Sequence, residues 1–184
     1  KTTDKRGYSR TMTYDTSGNL LSVTDALNQT IAYTYEPVYN RMTSMTDALG
    51  RTTLYRYDVT GNLIEVEAPT GEVTAFSYDT NGDLLTTTDA AGHVTTYAYD
   101  SYGYLNQTTD ALGNDAFITN DFLGNPVTKT DKNGSVSTYE YDLKRCTRAI
   151  DDAGGITTFA YDSNANRVLT TDPLGHTYAN TYDP

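Results

Sequence analysis

The sequence has one cysteine, Cys146, and no tryptophan. A single thiol excludes an internal disulfide, so the fold must hold without a crosslink. Lys and Arg number 13 against 24 Asp and Glu, a formal net charge of −11. No basic run exists, and without one there is no counterion release to drive nucleic-acid binding. Neither nucleic acid nor an anionic membrane surface is an expected partner. No apolar run approaches the roughly 20 residues that span a bilayer, and no charged-then-apolar leader is present. Helical periodicity is missing throughout. So are a Gly-rich phosphate loop, a Ser nucleophile elbow, a calcium loop of the Asp-x-Asp-x-Asp-Gly kind and zinc-ligand spacing.

What is there is repetition. The stretch Tyr78 to Ala98, YDTNGDLLTTTDAAGHVTTYA, recurs along the chain. Its opening Tyr-Asp pair returns at Tyr14-Asp15, Tyr57-Asp58, Tyr99-Asp100, Tyr141-Asp142, Tyr161-Asp162 and Tyr182-Asp183, with Tyr35-Glu36 and Asn120-Asp121 as altered copies. Successive starts are 21, 22, 21, 21, 21, 21, 20 and 21 residues apart. A fixed period decides architecture before any local motif does. Residues 1–184 are therefore expected to be one array: a partial repeat over 1–13, eight repeats over 14–181, and the start of another at 182–184. That phasing reads as a segment of a longer chain. With 17 Tyr among 184 residues and abundant Thr, the composition is β-rich rather than disordered.

Each repeat has two halves, and both carry Asp-x-x-Gly. The first-half turns include Asp15 to Gly18 and Asp79 to Gly82; the second-half turns include Asp47 to Gly50, Asp89 to Gly92 and Asp110 to Gly113. Asp at the first position accepts hydrogen bonds from backbone N–H groups further on, and Gly at the fourth takes positive φ. Asn28 fills a Gly place, and Asn tolerates that conformation. Pro37, Pro69 and Pro173 fall at the second turn position, where a fixed φ is already correct. Between turns, segments of about six residues alternate with period two, as in Ile31, Tyr33 and Tyr35 against Ala32 and Thr34. The expected fold is all-β: tandem β-hairpins forming a long antiparallel strip. Tyr14, Tyr35, Tyr57, Tyr78, Tyr99, Tyr141, Tyr161 and Tyr182 should form a structural ladder on one face. A second column runs two residues earlier through Met12, Tyr33, Tyr55, Phe76, Tyr97, Ile118, Tyr139, Phe159 and Asn180.

Candidate chemistry is sparse. His93 and His176 share a column but sit four repeats apart, and both read as turn-flanking positions. Cys146 has no nearby His in sequence. Carboxylate pairs such as Asp151-Asp152 occur everywhere, so none is singled out for acid/base work. The Asp columns need no cation, because like charges roughly 9.6 Å apart in water repel by only roughly 0.4 kcal/mol. The expectation is no catalysis, no metal and no cofactor. Exposed tyrosines offer a stacking surface for glycans, and Asn28, Asn106 and Asn133 begin Asn-x-Ser/Thr sequons.

YDTSGNLLSVTDALNQTIAYTYE, RTTLYRYDVTGNL and YDTNGDLLTTTDAAGHVTTYAYD together resemble the RHS repeat, also called the YD repeat. The resemblance covers the whole chain. Its members include bacterial Rhs and contact-dependent toxins, components of insecticidal toxin complexes, and animal teneurins. It implies a strip that coils into a shell or tube, secreted or at the cell surface. Such a wall encloses cargo, such as a C-terminal effector, or spaces other domains. The implied partners are the rest of the same polypeptide or further copies of it. An extracellular filament and a glycan- or receptor-binding surface are the alternatives. The sequence departs from the pattern where Asn120 replaces Tyr, where Arg145 and Ala165 stand for Gly, at Pro126, and in the seventh repeat, one residue short; drift in a repeat array is the expected cause, with a bend or loosened pairing as the alternative.

Overall fold

A strand whose faces alternate aromatic and hydroxyl-bearing residues hydrogen-bonds to its neighbours on both sides, and short Asp-x-x-Gly turns leave only the next strand within reach. The computed structural model describes residues 2–3 and 9–183. Every described element is a strand, and the chain forms two compact units, Lys1–Val94 and Thr95–Pro184. Asp4-Lys5-Arg6-Gly7, a further Asp-x-x-Gly in the partial repeat, lies outside the described residues. In the first unit the strands are β1 (Thr2–Thr3), β2 (Ser9–Tyr14), β3 (Leu20–Thr24), β4 (Thr30–Tyr35), β5 (Met42–Thr46), β6 (Thr52–Tyr57), β7 (Leu63–Glu67), β8 (Val73–Tyr78) and β9 (Leu84–Thr88). The second holds β10 (Val94–Tyr99), β11 (Leu105–Thr109), β12 (Asp115–Asn120), β13 (Pro126–Thr130), β14 (Val136–Asp142), β15 (Arg145–Ile150), β16 (Ile156–Tyr161), β17 (Arg167–Thr171) and β18 (Thr177–Ala179). Within each unit every strand pairs antiparallel with its sequence neighbour, a plain meander.

The register assigns the two faces. Val23 pairs with Met12 and Ile31, and Met45 pairs with Tyr33 and Thr53, giving one apolar and aromatic face. On the other face the hydroxyls bond to one another: Thr13 with Ser22 at 2.6 Å, Thr24 with Thr30 at 2.8 Å, Thr46 with Thr52 at 2.8 Å and Ser77 with Thr86 at 2.6 Å. The abundance of Thr thus supplies cross-strand hydrogen bonds as well as β-branched stiffness. Among the described residues no apolar side chain is buried, and Asn125 alone is, with 4% of its surface exposed. The sheet is one layer thick within each unit, and half-buried faces replace a core.

The two turns of a repeat are not equivalent. At the first-half turn the register slips by one residue beside the tyrosine: Thr13 pairs with Ser22, but Tyr14 pairs with Leu20. The same bulge recurs at Tyr35, Tyr57, Tyr78, Tyr99, Asn120, Tyr141 and Tyr161. Second-half turns close a regular ladder, as where Thr24 pairs with Thr30. Length irregularities are also absorbed on the first-half side. In the 22-residue repeat the loop from Glu36 to Arg41 has one extra residue and puts Asn40 at φ 57°. In the 20-residue repeat the loop shrinks to Leu143 and Lys144, with Leu143 at φ 56°.

That shortened loop corrects one reading of the sequence. Arg145 does not stand in a glycine place; it pairs with Asp142 inside the ladder, because the glycine position has been deleted rather than replaced. Ala165 does occupy a glycine place, at φ 64°. Pro126 pairs with Asn120 at the bulge, where a missing N–H is tolerated, so pairing continues through the irregular repeats.

The two edges differ in packing as well. A Cβ built on Gly61 would meet the Arg41 guanidinium, and one on Gly124 would overlap the Tyr104 ring; Gly82 lies 3.7 Å from Asn62 Oδ1 by the same measure. Each contact comes from the preceding repeat. Gly18 and Gly103 are open, and so is every described second-half turn glycine: Gly50, Gly71, Gly92, Gly113, Gly134, Gly154 and Gly175. Gly124→Ala and Gly134→Ala both force alanine into positive φ, a cost of about 1–2 kcal/mol. Only Gly124→Ala adds a clash, worth about 1–3 kcal/mol more. Urea denaturation of the two variants should separate them by that second amount.

Candidate functional site

Two recurring side-chain devices link the strands, and they involve most of the residues that the sequence singles out. The first is the tyrosine that opens each repeat. In the first unit the hydroxyl of Tyr35 donates to the Leu20 carbonyl at 3.0 Å, Tyr57 to Met42 at 2.9 Å and Tyr78 to Leu63 at 2.9 Å. In the second unit Tyr141 donates to Pro126 at 3.2 Å, Tyr161 to Cys146 at 2.8 Å and Tyr182 to Arg167 at 3.0 Å. The acceptor is always 15 residues back, on the residue paired with the preceding repeat's Tyr or Asn at its bulge. Tyr14 instead donates to Met12 Sδ at 3.2 Å. Tyr99 closes β10 and pairs with Leu105. Where Asn120 replaces the tyrosine, its Nδ2 donates to the Leu105 carbonyl at 3.1 Å, with the same offset of 15. Burial pushes the Tyr57 and Tyr141 phenols upward in pKa, which keeps both in the donor form.

The hydroxyl's role is missed when the tyrosines are read only as a packing column. The signal was nevertheless available. The column two residues earlier accepts Phe76 and Phe159, whereas the opening position never holds Phe and its sole replacement, Asn120, is again a donor.

The second device is the turn carboxylate. Asp15 Oδ1 accepts N–H groups from Ser17 at 2.9 Å and Asn19 at 2.8 Å. The same pair of bonds holds at Asp47 (Leu49, Arg51), Asp79 (Asn81, Asp83), Asp89 (Ala91, His93) and Asp110 (Leu112, Asn114). Each turn glycine in turn donates its N–H to the carbonyl of that Asp, as Gly18 does at 3.2 Å and Gly50 at 2.9 Å. In many of the turns the other carboxylate oxygen is taken by the side chain at the fifth position. Asn19 Nδ2 reaches Asp15 at 2.9 Å, Arg51 Nε reaches Asp47 at 2.7 Å, and Asn62 and Asn166 reach Asp58 and Asp162 at 3.0 Å. This fifth position also explains the two histidines: His93 and His176 each place Nδ1 2.9 Å from the carboxylate of their own turn, Asp89 or Asp172.

The enlarged loop follows the same logic with a longer acid. Glu36 spans the extra residue, accepting N–H groups from Val38 and Tyr39 at 2.8 Å and from Arg41 Nε at 3.1 Å. The Arg41 guanidinium then lies over the Tyr39 and Tyr57 rings, 4.7 and 4.9 Å from their centroids, so it ties the loop to the next repeat.

These contacts set the electrostatics. The hydroxyl of Thr60, with further donors from Asn62 and Gly61, brings Asp58 from an ordinary 3.8 to about 2. Partial burial by itself would raise Glu36, yet bonds from Val38, Arg41 and Tyr39 bring it to about 2. Lys132, whose Nζ lies 2.7 Å from Asp110, is the main cause of a strong lowering there. A carboxylate so occupied is a poor base. Cys146 is half-buried with Sγ 3.4 Å from the Arg148 carbonyl. Among the described residues no three His, Cys, Asp or Glu side chains gather where they could hold a metal ion.

Two outcomes follow from this geometry. Tyr78→Phe keeps the ring and removes one donor, and should lower stability by about 0.5–1.5 kcal/mol in chemical denaturation. Asp58 and Glu36 have folded-state values below their unfolded ones, so their contribution is full above about pH 5 and falls away as pH drops towards about 2. Stability followed by circular dichroism should decline across that acid window. Asp58→Asn should flatten part of the decline.

The family described as RHS Repeat matches residues 14–52, 38–73, 57–93 and 78–115, overlapping placements that together run from 14 to 115. Three of them begin on a ladder tyrosine, at Tyr14, Tyr57 and Tyr78. None of the curated proteins matches the chain. Among solved structures it is similar to TcdB2-TccC3 without its hypervariable C-terminal region, at 14% identity and a TM-score of 0.58, covering 89% of this chain and 11% of that one. TcdB2-TccC3 itself gives 16% and 0.58, covering 89% and 12%. A Photorhabdus luminescens Tc holotoxin pore gives 16% and 0.53, covering 89% and 11%. At these identities the likeness is one of fold, and the chain spans 11–12% of the length of those structures. The period, the paired turns and the match over more than half its length establish that the chain belongs to the RHS-repeat family.

Proposed function

We propose that this chain is a non-catalytic stretch of wall, one continuous RHS array within a longer secreted or cell-surface polypeptide, coiled so as to enclose cargo such as a toxin domain or to space other domains. The observation that carries this reading is the bond from a repeat's opening residue to the hairpin before it, made with the same offset of 15 at Tyr57 and Tyr78 in one unit and at Tyr141 and Tyr161 in the other. The conserved chemistry of the segment is spent on joining repeats. Its turn carboxylates accept backbone N–H groups of their own turns, and its faces carry no buried apolar residue among those described. The fold likeness to TcdB2-TccC3, a structure that also exists without a hypervariable C-terminal region, supports a wall built beside a variable partner segment. The expected partners are the remainder of the polypeptide and an enclosed effector.

Electron microscopy of the full-length protein should show closed hollow particles. Long filaments of uniform width would replace the shell with a fibre. A glycan array is expected to stay at background; binding that Tyr97→Ala abolishes would instead make the aromatic face a recognition surface.

A further inference from the structure

Asn-Gly occurs twice in the chain, at Asn81-Gly82 and Asn133-Gly134, each time as the last two residues of an Asp-x-Asn-Gly turn. This dipeptide has its own reactivity. Once deprotonated, the glycine nitrogen attacks the asparagine Cγ, and no Cβ obstructs the approach. A C–N bond forms, the Cγ–Nδ2 bond breaks, and ammonia leaves a five-membered succinimide. Water then opens the ring at one carbonyl or the other, giving aspartate or the backbone-lengthened isoaspartate. Water is the sole co-reactant, and no electrons change hands.

The structure separates the two sites. In both turns the glycine N–H must first be released from a carbonyl, that of Asp79 at 3.2 Å or of Asp131 at 3.0 Å. Asn81 lies on the stacked first-half edge. Its Nδ2 is 3.4 Å from Asp79 Oδ2, and Gly82 faces Asn62 of the preceding repeat. Asn133 lies on the open second-half edge, where nothing stands within 4 Å of the place a Gly134 Cβ would occupy. Its backbone N–H bonds Asp131 at 2.8 Å, and its side-chain amide has no hydrogen-bond partner among the described residues. The fifth position clamps the second oxygen in neither turn: Ser135 gives Asp131, and Asp83 gives Asp79, only a backbone N–H, each at 2.9 Å. What differs is the amide itself: that of Asn81 is tied to Asp79, whereas that of Asn133 is unbound and free to swing towards the glycine nitrogen.

We propose that Asn133 is a self-modification site, converting through a succinimide to aspartate and isoaspartate faster than Asn81 because its side-chain amide is unbound and no neighbouring group crowds Gly134. Four other asparagines of the turns are shielded. Asn19, Asn62 and Asn166 have their amides bound to turn carboxylates and are followed by Leu20, Leu63 and Arg167, whose side chains hinder attack. Asn125 precedes Pro126, which has no N–H to lose. Conversion at 133 adds a negative charge beside the Lys132–Asp110 pair. Isoaspartate also lengthens the main chain of the turn by one methylene, so Gly134 loses its place against Asp131 and the hairpin of β13 and β14 loosens.

The test is incubation of the intact chain in heavy-oxygen water at mildly alkaline pH, followed by peptide mapping. Label should enter at Asn133 about five times faster than at Asn81 in the folded chain, the factor that goes with about 1 kcal/mol of extra opening cost. In urea the two rates should converge, since the local sequences then react alike. Asn133→Gln should silence that site and leave Asn81 unchanged. Equal rates in the folded chain, a faster Asn81, or no label at Asn133 while the unfolded chain reacts would each overturn the assignment.

Discussion

A hydroxyl that reaches back to the previous hairpin sets the terms for everything else in this chain. A single-layer sheet has no interior in which to hide apolar surface, and ladder bonds alone fix strands only to their immediate neighbours. The bulge beside each opening tyrosine interrupts the ladder at the point where the chain is about to turn. The phenol of the next repeat donates to a carbonyl at that interruption. One side chain therefore tightens the weakest part of the preceding hairpin and fixes the position of its own. Asn120 makes the same bond with a shorter amide, which explains how the array passes through its most divergent repeat without a break in pairing.

The turns obey a second constraint, that of an acid which serves the main chain before anything else. With two N–H donors on one oxygen and, in many turns, a side chain from the fifth position on the other, a turn aspartate is engaged by its own loop. A strip lined on both edges with carboxylates looks from its composition like a place for cations or for acid catalysis. Its geometry makes those groups the pins of a hinge-free turn. The excess of negative charge is then carried at low electrostatic cost, in positions that water reaches and salt screens.

Much of this was legible in the residues. Period, strand content, turn positions and the left-handed conformations at Asn28 and Ala165 follow from Asp-x-x-Gly and from two-residue alternation, because those signals are local. Three features were not legible in the same way. The hydroxyl bond depends on side-chain reach between hairpins; only the refusal of Phe at one column hints at it. The role of Asn19, Arg51 and His93 looked like variation because three different residue types perform one task, donating to a carboxylate four positions back. Arg145 was assigned to a glycine place because counting from Tyr141 cannot distinguish a substitution from a deletion; pairing with Asp142 does. The difference between the two edges was hidden entirely, since both halves of the repeat spell the same turn.

The loops at Glu36–Arg41 and at Leu143–Lys144 show how the array tolerates change in length. One residue is gained in the first and one lost in the second, yet the strands on either side return to register within the same hairpin. The stretch between an opening tyrosine and its bulge thus behaves like an expansion joint in a rail: it takes up a change in span so that the track beyond stays in gauge. A repeat can be lengthened or shortened there during evolution without rephasing its successors. The same property makes that joint, rather than the second-half turn, the place to graft a peptide when a strip of this kind is used as a scaffold.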